Sequence, residues 1–368
     1  MTKGLNLRTL KNENISLILY LLNSRSALSR KELASLLGLT PAAVSKICSE
    51  LIAEGFIEEC GENEDTGRSG RREILLRLKL YDKLALCVNC EKDTVTLSVC
   101  DLSGALLEKK EVPLSDEPEE VIKAAKAFVN SFKGDKSKIV GAGICVIGTP
   151  DEYDFGVWNE PGLGERFETE LGVPVTVENN VKAFAEGELI YGGTDKSDSV
   201  LFLKWGPGVG SAIAANGKVF SGNDSSVAEI GHYIVNAGGV KCRCGRFGCL
   251  ETEVSEDVIL KEINNKQTLD EVLNICDNYS MNIIEHKIDM VALALTNTAT
   301  ILNAGRVVLF GTMFTNEIMA KKLIKQCLRY NANLSEDMIK LSSLNAESHY
   351  IGAAAICAKA FFFEREKE

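Results

Sequence analysis

Between residues 242 and 249 the chain reads Cys-Arg-Cys-Gly-Arg-Phe-Gly-Cys. Three thiols this close can meet at one point only if the backbone turns back on itself, and the glycines at 245 and 248 permit that turn. Soft thiolates at such spacing suit a tetrahedral zinc ion. A fourth ligand is then needed, and His232, ten residues before Cys242, is the nearest of only three histidines. His232, Cys242, Cys244 and Cys249 would leave no open position, so the expected zinc is structural and not hydrolytic. His286 and His349 lack such company and read as surface or packing residues.

The remaining cysteines of the twelve are scattered, which fits a reducing compartment and not a disulfide framework. The N-terminus carries no apolar signal core, and its longest apolar run, Ile15 to Leu22, is too short to span a bilayer. The expectation is a cytoplasmic protein with no membrane partner. With 368 residues, 45% hydrophobic and only 7 prolines, the chain can fold into two or three domains. Its net charge of −11 argues against nucleic-acid binding by the chain as a whole. The average conceals a division. Residues 1–80 hold 12 basic against 10 acidic residues, whereas residues 81–368 hold 29 against 42.

In the first of these regions, Ile15 to Leu22 reads as an apolar helix, and Ser29-Arg-Lys-Glu32 forms a capping box that opens a second helix at Arg30. That helix stops at Gly38. Thr40-Pro41 then caps and opens a third helix, with Val44, Ile47 and Leu51 on one buried stripe. Its other face carries Thr40, Ala42, Ala43, Ser45, Lys46 and Ser49, small or basic residues that let a helix sit in a major groove. Two strands, Gly55 to Glu59 and Glu73 to Leu78, flank a polar tip containing Arg68, Arg71 and Arg72, placed to enter a minor groove or clamp phosphates. The pattern is a winged helix-turn-helix over residues 1–80. DNA-binding residues are expected at Thr40, Ala42, Ser45, Lys46, Arg68, Arg71 and Arg72.

From Leu84 onward the order is three strands in a meander, then helix, strand, helix, strand and helix, with strands at Leu84 to Val88, Thr94 to Cys100, Leu107 to Val112, Ile139 to Ile147 and Val173 to Val177. A similar order restarts at Val200 and ends with a helix from Tyr350. Duplicated units of this kind make two lobes around a cleft. One lobe is expected over about 81–190 plus the last helix, the other over about 191–349.

The winged helix-turn-helix, Glu229-Ile-Gly-His232 and the cysteine string running on to Leu250-Glu251 together resemble the ROK family. The resemblance covers essentially the whole chain. It implies an α/β protein in which the N-terminal winged helix-turn-helix precedes a two-lobed, actin-like ATPase (sugar kinase-like) fold. The family groups sugar-responsive repressors with sugar kinases. By the same resemblance His232 holds the position of a zinc-binding histidine, and Asn179, Asn180, Glu229, His232 and Glu251 hydrogen-bond a pyranose ring. Carboxylates and amides suit that task because each hydroxyl needs a partner once water is excluded.

The family's kinases end the motif matching Glu178-Asn-Asn180 in a catalytic aspartate, and an asparagine amide cannot act as general base. Where the resemblance requires a glycine-rich first phosphate loop, this chain has Asn89-Cys-Glu-Lys-Asp93. In the second loop, Gly206-Pro-Gly-Val-Gly210, Pro207 removes a hydroxyl and an N–H donor. Phe310-Gly-Thr312 lacks the paired glycine of the adenosine side. No catalytic residue is therefore assigned. The expected protein is a sugar-responsive regulator, most simply a repressor. Its expected partners are operator DNA of palindromic form, a sugar or sugar-phosphate effector, and its own copies in a homodimer or homotetramer. The alternatives are a sugar kinase with an appended DNA-binding domain and a regulator controlled by a protein partner.

Overall fold

The computed structural model describes residues 7–62, 73–148, 162–194, 199–221, 227–263, 268–275, 277–344 and 350–364. Helices α1 (Leu7–Arg25), α2 (Arg30–Leu37) and α3 (Pro41–Ala53) form around Ile18, Leu19, Leu22, Leu33, Val44 and Leu51, all buried. The capping box is complete. Glu32 N–H donates to Ser29 Oγ at 3.2 Å, and Ser29 N–H donates to Glu32 Oε2 at 2.7 Å. Thr40 Oγ1 accepts from Ala43 N–H at 3.3 Å and starts α3 in the same way.

Two local features differ from the sequence reading. The first helix begins eight residues before Ile15, and Lys11 in its early turns pairs with Glu50 of α3 at 2.5 Å. Between α1 and α2 lies a short strand that the sequence did not suggest, β1 (Leu28–Ser29), with Leu28 buried opposite Leu76. With β2 (Ile57–Glu62) and β3 (Ile74–Leu78) it makes an antiparallel sheet of order β1-β3-β2. The tip of the wing, with Arg68, Arg71 and Arg72, lies outside the described residues.

The first lobe contains β4 (Leu84–Cys90), β5 (Thr94–Asp101), β6 (Leu106–Pro113), α4 (Pro118–Ser131), β7 (Ile139–Val146), α5 (Leu163–Leu171), β8 (Val175–Asn179) and α6 (Asn180–Ile190). The second has β9 (Val200–Trp205), β10 (Val209–Ala215), β11 (Lys218–Val219), the helices α7 (Leu250–Val254), α8 (Glu256–Glu262), α9 (Leu269–Ile275) and α10 (Asn278–Leu302), then β12 (Arg306–Phe310), α11 (Glu317–Tyr330) and β13 (Ile339–Leu341). The sheet orders are β6-β5-β4-β7-β8 and β11-β10-β9-β12-β13. Numbered within each lobe, both are 3-2-1-4-5. In each, the meander is antiparallel and the last two strands join in parallel. The duplication read from the element order is thus a duplication of topology. The strand placed at Val173 to Val177 starts two residues later, at Val175, since Pro174 has no N–H to give a ladder.

The last helix, α12 (Ile351–Ala358), returns to the first lobe and packs on β4, β7 and α6. All eight of its residues are buried, which a helix reading Ile-Gly-Ala-Ala-Ala-Ile-Cys-Ala tolerates because it is apolar all round. Its final turn widens to a π-helix over Lys359–Phe363. There the Phe363 ring stacks on Tyr20 of α1 at 4.8 Å, and Phe362 meets Phe56, just before β2, at 4.9 Å. Tyr20 also donates to Glu364 at 2.9 Å, and Asn23 donates to the Ile190 carbonyl at 3.0 Å. The winged domain therefore sits on the first lobe through a continuous apolar core. Phe362→Ala should cost about 3–5 kcal/mol and expose the α1 region to protease, as read by denaturant unfolding and limited proteolysis. Wild-type stability with an equally resistant N-terminal region would contradict this role.

Candidate functional site

Residues 232–249 fold as a hairpin that brings the cysteine string back on itself. Ile234 bridges Cys249, and Lys241 bridges Phe247, in antiparallel fashion. Cys242 N–H donates to the Arg246 carbonyl at 2.7 Å, and Gly245 N–H to that of Cys242 at 2.9 Å. Gly248 is required twice over. Its φ is +67°, and a Cβ there would lie 1.5 Å from the Asn236 carbonyl oxygen.

The ligand atoms of His232, Cys242, Cys244 and Cys249 all lie within 4.8 Å of one another. Cys242 Sγ is 3.6 Å from His232 Nδ1, and the sulfurs of Cys244 and Cys249 are 3.5 Å apart. Zinc–sulfur bonds of ~2.3 Å in a tetrahedron place sulfurs ~3.8 Å apart, so this donor set fits such an ion. Burial pushes the His232 imidazole below its usual pKa, against the pull of Glu251, and so favours the neutral ring that a metal requires. With Nδ1 turned to the sulfurs, Nε2 is the ring's remaining polar atom.

Glu229 precedes the single 3-10 turn, Ile230–His232, that carries the histidine, and His232 N–H donates to the Glu229 carbonyl at 3.0 Å. Glu251 opens α7. Its carboxylate meets Arg243 at 3.5 Å and accepts from Val209 N–H at 3.0 Å, which ties the cysteine hairpin to the turn between β9 and β10. Asn180 starts α6 on the wall of a 930 Å³ cavity between the lobes. The adjacent Asn179 spends its amide on the fold: Oδ1 accepts from Val181 and Lys182 N–H groups, and Nδ2 donates to the Gly148 carbonyl at 2.6 Å. The structure thus gathers His232 and the three cysteines, ties Glu251 to their hairpin, starts the histidine's turn at Glu229, and sets Asn180 on the cleft.

That cleft contains residues the sequence reading passed over. Lys204, at the end of β9, gives its Nζ to both oxygens of Glu91, at 2.9 and 2.8 Å. Phe184 stacks on Phe310 at 3.7 Å along the same wall. A lysine inside the otherwise apolar strand Val-Leu-Phe-Leu-Lys-Trp was the available signal for the first of these.

At the other end of the molecule, Thr40, Ala42, Ala43, Ser45, Lys46 and Ser49 are all exposed along one face of α3. Much of the surrounding charge is internally paired, Arg30 with Glu59 at 3.0 Å and Lys31 with Glu73 at 2.8 Å. Among the described residues no helix is long and apolar enough to cross a membrane.

The ROK family model matches residues 85–360, and a winged helix-turn-helix DNA-binding model matches residues 11–58. The chain belongs to the ROK family. Among ROK relatives, the N-acetylglucosamine repressor of Escherichia coli O6:H1 is 24% identical over 386 residues, covering 96% of this chain and 94% of that protein. The crystal structure of a ROK family transcriptional regulator, a homolog of the E. coli Mlc protein, superposes with a TM-score of 0.81 at 20% identity, over 96% of this chain and 97% of that one. The ROK family glucokinase of Streptomyces griseus, solved with glucose and AMPPNP, matches with a TM-score of 0.66 at 21% identity, over 75% of this chain and all of that one. At such identities the two structures establish fold alone: the regulator that of nearly the whole chain, and the glucokinase that of the sugar kinase-like lobes.

Gly248→Ala should displace the cysteine hairpin and destabilise the protein by at least about 2 kcal/mol, seen as a lower denaturation midpoint. An unchanged midpoint would show that the hairpin can relax around a side chain.

Proposed function

We propose that this protein is a sugar-responsive transcriptional regulator acting as a repressor, in which a sugar bound at the lobes alters operator affinity. The observation that carries this reading is the union, in one ROK chain, of an exposed recognition face on α3 with a cleft whose phosphate-loop position holds Glu91 paired to Lys204. The E. coli relative named as a sugar repressor supports it. Thr40, Ala42, Ser45 and Lys46 would face the major groove, with Arg68, Arg71 and Arg72 on the wing. Glu229, His232 and Glu251, with Asn180 on the cleft wall and the neighbouring Asn179, whose amide also caps α6, would receive the sugar hydroxyls.

Kinase chemistry is not part of the proposal. Asn180 cannot take the hydroxyl proton, and Glu91 stands where backbone should approach phosphate. The Cys3His set would hold a structural zinc, which fixes the histidine ring so that its second nitrogen can meet a hydroxyl. Two copies, each presenting one α3, would match a palindromic operator. The sugar would act by favouring one arrangement of the pair.

Fluorescence anisotropy on the upstream DNA, at fixed salt and with a panel of sugars and phosphosugars, tests the central claim. One sugar should shift the DNA affinity; specific DNA binding that no sugar alters would refute the sensor. Lys46→Ala should weaken binding about tenfold and lower the salt slope by about one, and an unchanged slope would remove Lys46 from the interface.

Purified protein should carry close to one zinc per chain by elemental analysis. Cys244→Ser should lose both the metal and the sugar response. A metal-free variant that senses sugar normally would break the proposed link between zinc and ligand.

A further inference from the structure

The turn between β4 and β5 belongs to the first lobe, yet two of its side chains are bonded to the second. Glu91 receives the Lys204 ammonium on both carboxylate oxygens, at 2.8 and 2.9 Å. Next to it, Lys92 is paired with Asp257, the second residue of α8. The two pairs have opposite polarity: the first lobe gives an acid and then a base, and the second lobe answers with a base and then an acid. Such an arrangement specifies register as well as attraction, because a slip of one position would oppose like charges. The pairs also differ in weight. The side chains of Lys204 and Glu91 are only 16% and 29% exposed, whereas those of Lys92 and Asp257 are 49% and 58% exposed. Solvent screens the outer pair, so the inner one dominates.

Both pairs stand at the cavity between the lobes, alongside Pro207 and Thr312. In a nucleotide-dependent fold of two lobes, phosphate and its cation bind both sides of such a cleft and hold them together. Here the protein's own side chains make the connection. An incoming phosphate would have to displace Glu91 from Lys204 and then lie beside a carboxylate.

We propose that Glu91–Lys204, assisted by Lys92–Asp257, is an intramolecular clasp that holds the lobes together without nucleotide. The clasp sets the balance of open and closed forms on which a cleft ligand acts. Its existence does not depend on what that ligand is; its regulatory use rests on the sugar-sensor reading.

Hydrogen exchange of the full chain, followed by mass spectrometry, tests the clasp directly. Glu91→Gln and Lys204→Gln should each raise exchange roughly threefold or more in the peptides spanning the β4–β5 turn and the β9–β10 turn. Peptides of the winged domain serve as the internal control for intact folding. The charge-exchanged double variant Glu91→Lys/Lys204→Glu should return toward wild-type protection. Magnesium and ATP at millimolar concentration should leave the wild-type pattern unchanged. Equal exchange in the wild type and both single variants, or protection of these turns by ATP in the wild type, would overturn the proposal. Sugar binding measured on the same samples separates the two readings. If the wild type binds no sugar, the sensor reading falls while the exchange data still decide the clasp.

Discussion

Helix α12 lies so close to β7 that only glycine fits at position 143, and glycine at position 352 lets it approach α6 closely. A Cβ at Gly143 of β7 would stand 1.9 Å from the Ala353 carbonyl oxygen, and one at Gly352 would stand 3.0 Å from the backbone of Ala183 and Phe184 on α6. At that separation the buried, alanine-rich α12 is in close contact with both elements, and close-packed interiors have low compressibility. The same helix then delivers Phe362 and Phe363 to the winged domain through its π-helical end. The winged domain and the first lobe consequently share a core and are not beads on a linker. α6 begins at Asn180 on the cleft and carries Glu186, which pairs with Lys359 at the start of the π-turn. Cleft and winged domain are therefore joined through α6, by this ion pair and by the hydrogen bond from Asn23 to Ile190.

What the sequence made legible follows from the range of the interactions. Caps, turns and apolar stripes act within a few residues, so Ser29, Glu32, Thr40 and the α3 stripe could be placed by local chemistry alone. The cysteine cluster was legible for the same reason, its three sulfurs being separated by so little chain. The repeated element order revealed the two lobes because topology is duplicated even where residues are not. The Lys204–Glu91 pair was not legible, since its partners are 113 residues apart and each alone reads as an ordinary charge. Asn179 shows the opposite limit. A polar residue in a resembling motif suggested ligand contact, whereas its amide also caps α6 and anchors Gly148. The early turns of α1 were missed because their polar residues carry no apolar stripe of their own to mark a helix.

The charges in the winged domain bear on how tightly one copy could hold DNA. Residues 1–80 have an excess of only two basic residues, and Lys11, Arg30, Lys31 and Arg77 are already engaged with Glu50, Glu59, Glu73 and Glu58. Nonspecific attraction to phosphate scales with the cations that can neutralise it, so a single domain of this kind gains little from electrostatics. Under the proposed function, affinity would then rest on a few contacts from α3 and the wing, doubled by a second copy. Two weak half-site contacts held at fixed spacing bind far more tightly than either alone, but only if the spacing matches the operator. Weak half-sites thus make affinity steeply dependent on geometry, and geometry is what a domain fixed through α12 to a two-lobed sensor can control. A strongly basic domain would hold DNA in either arrangement and leave the sensor little to regulate.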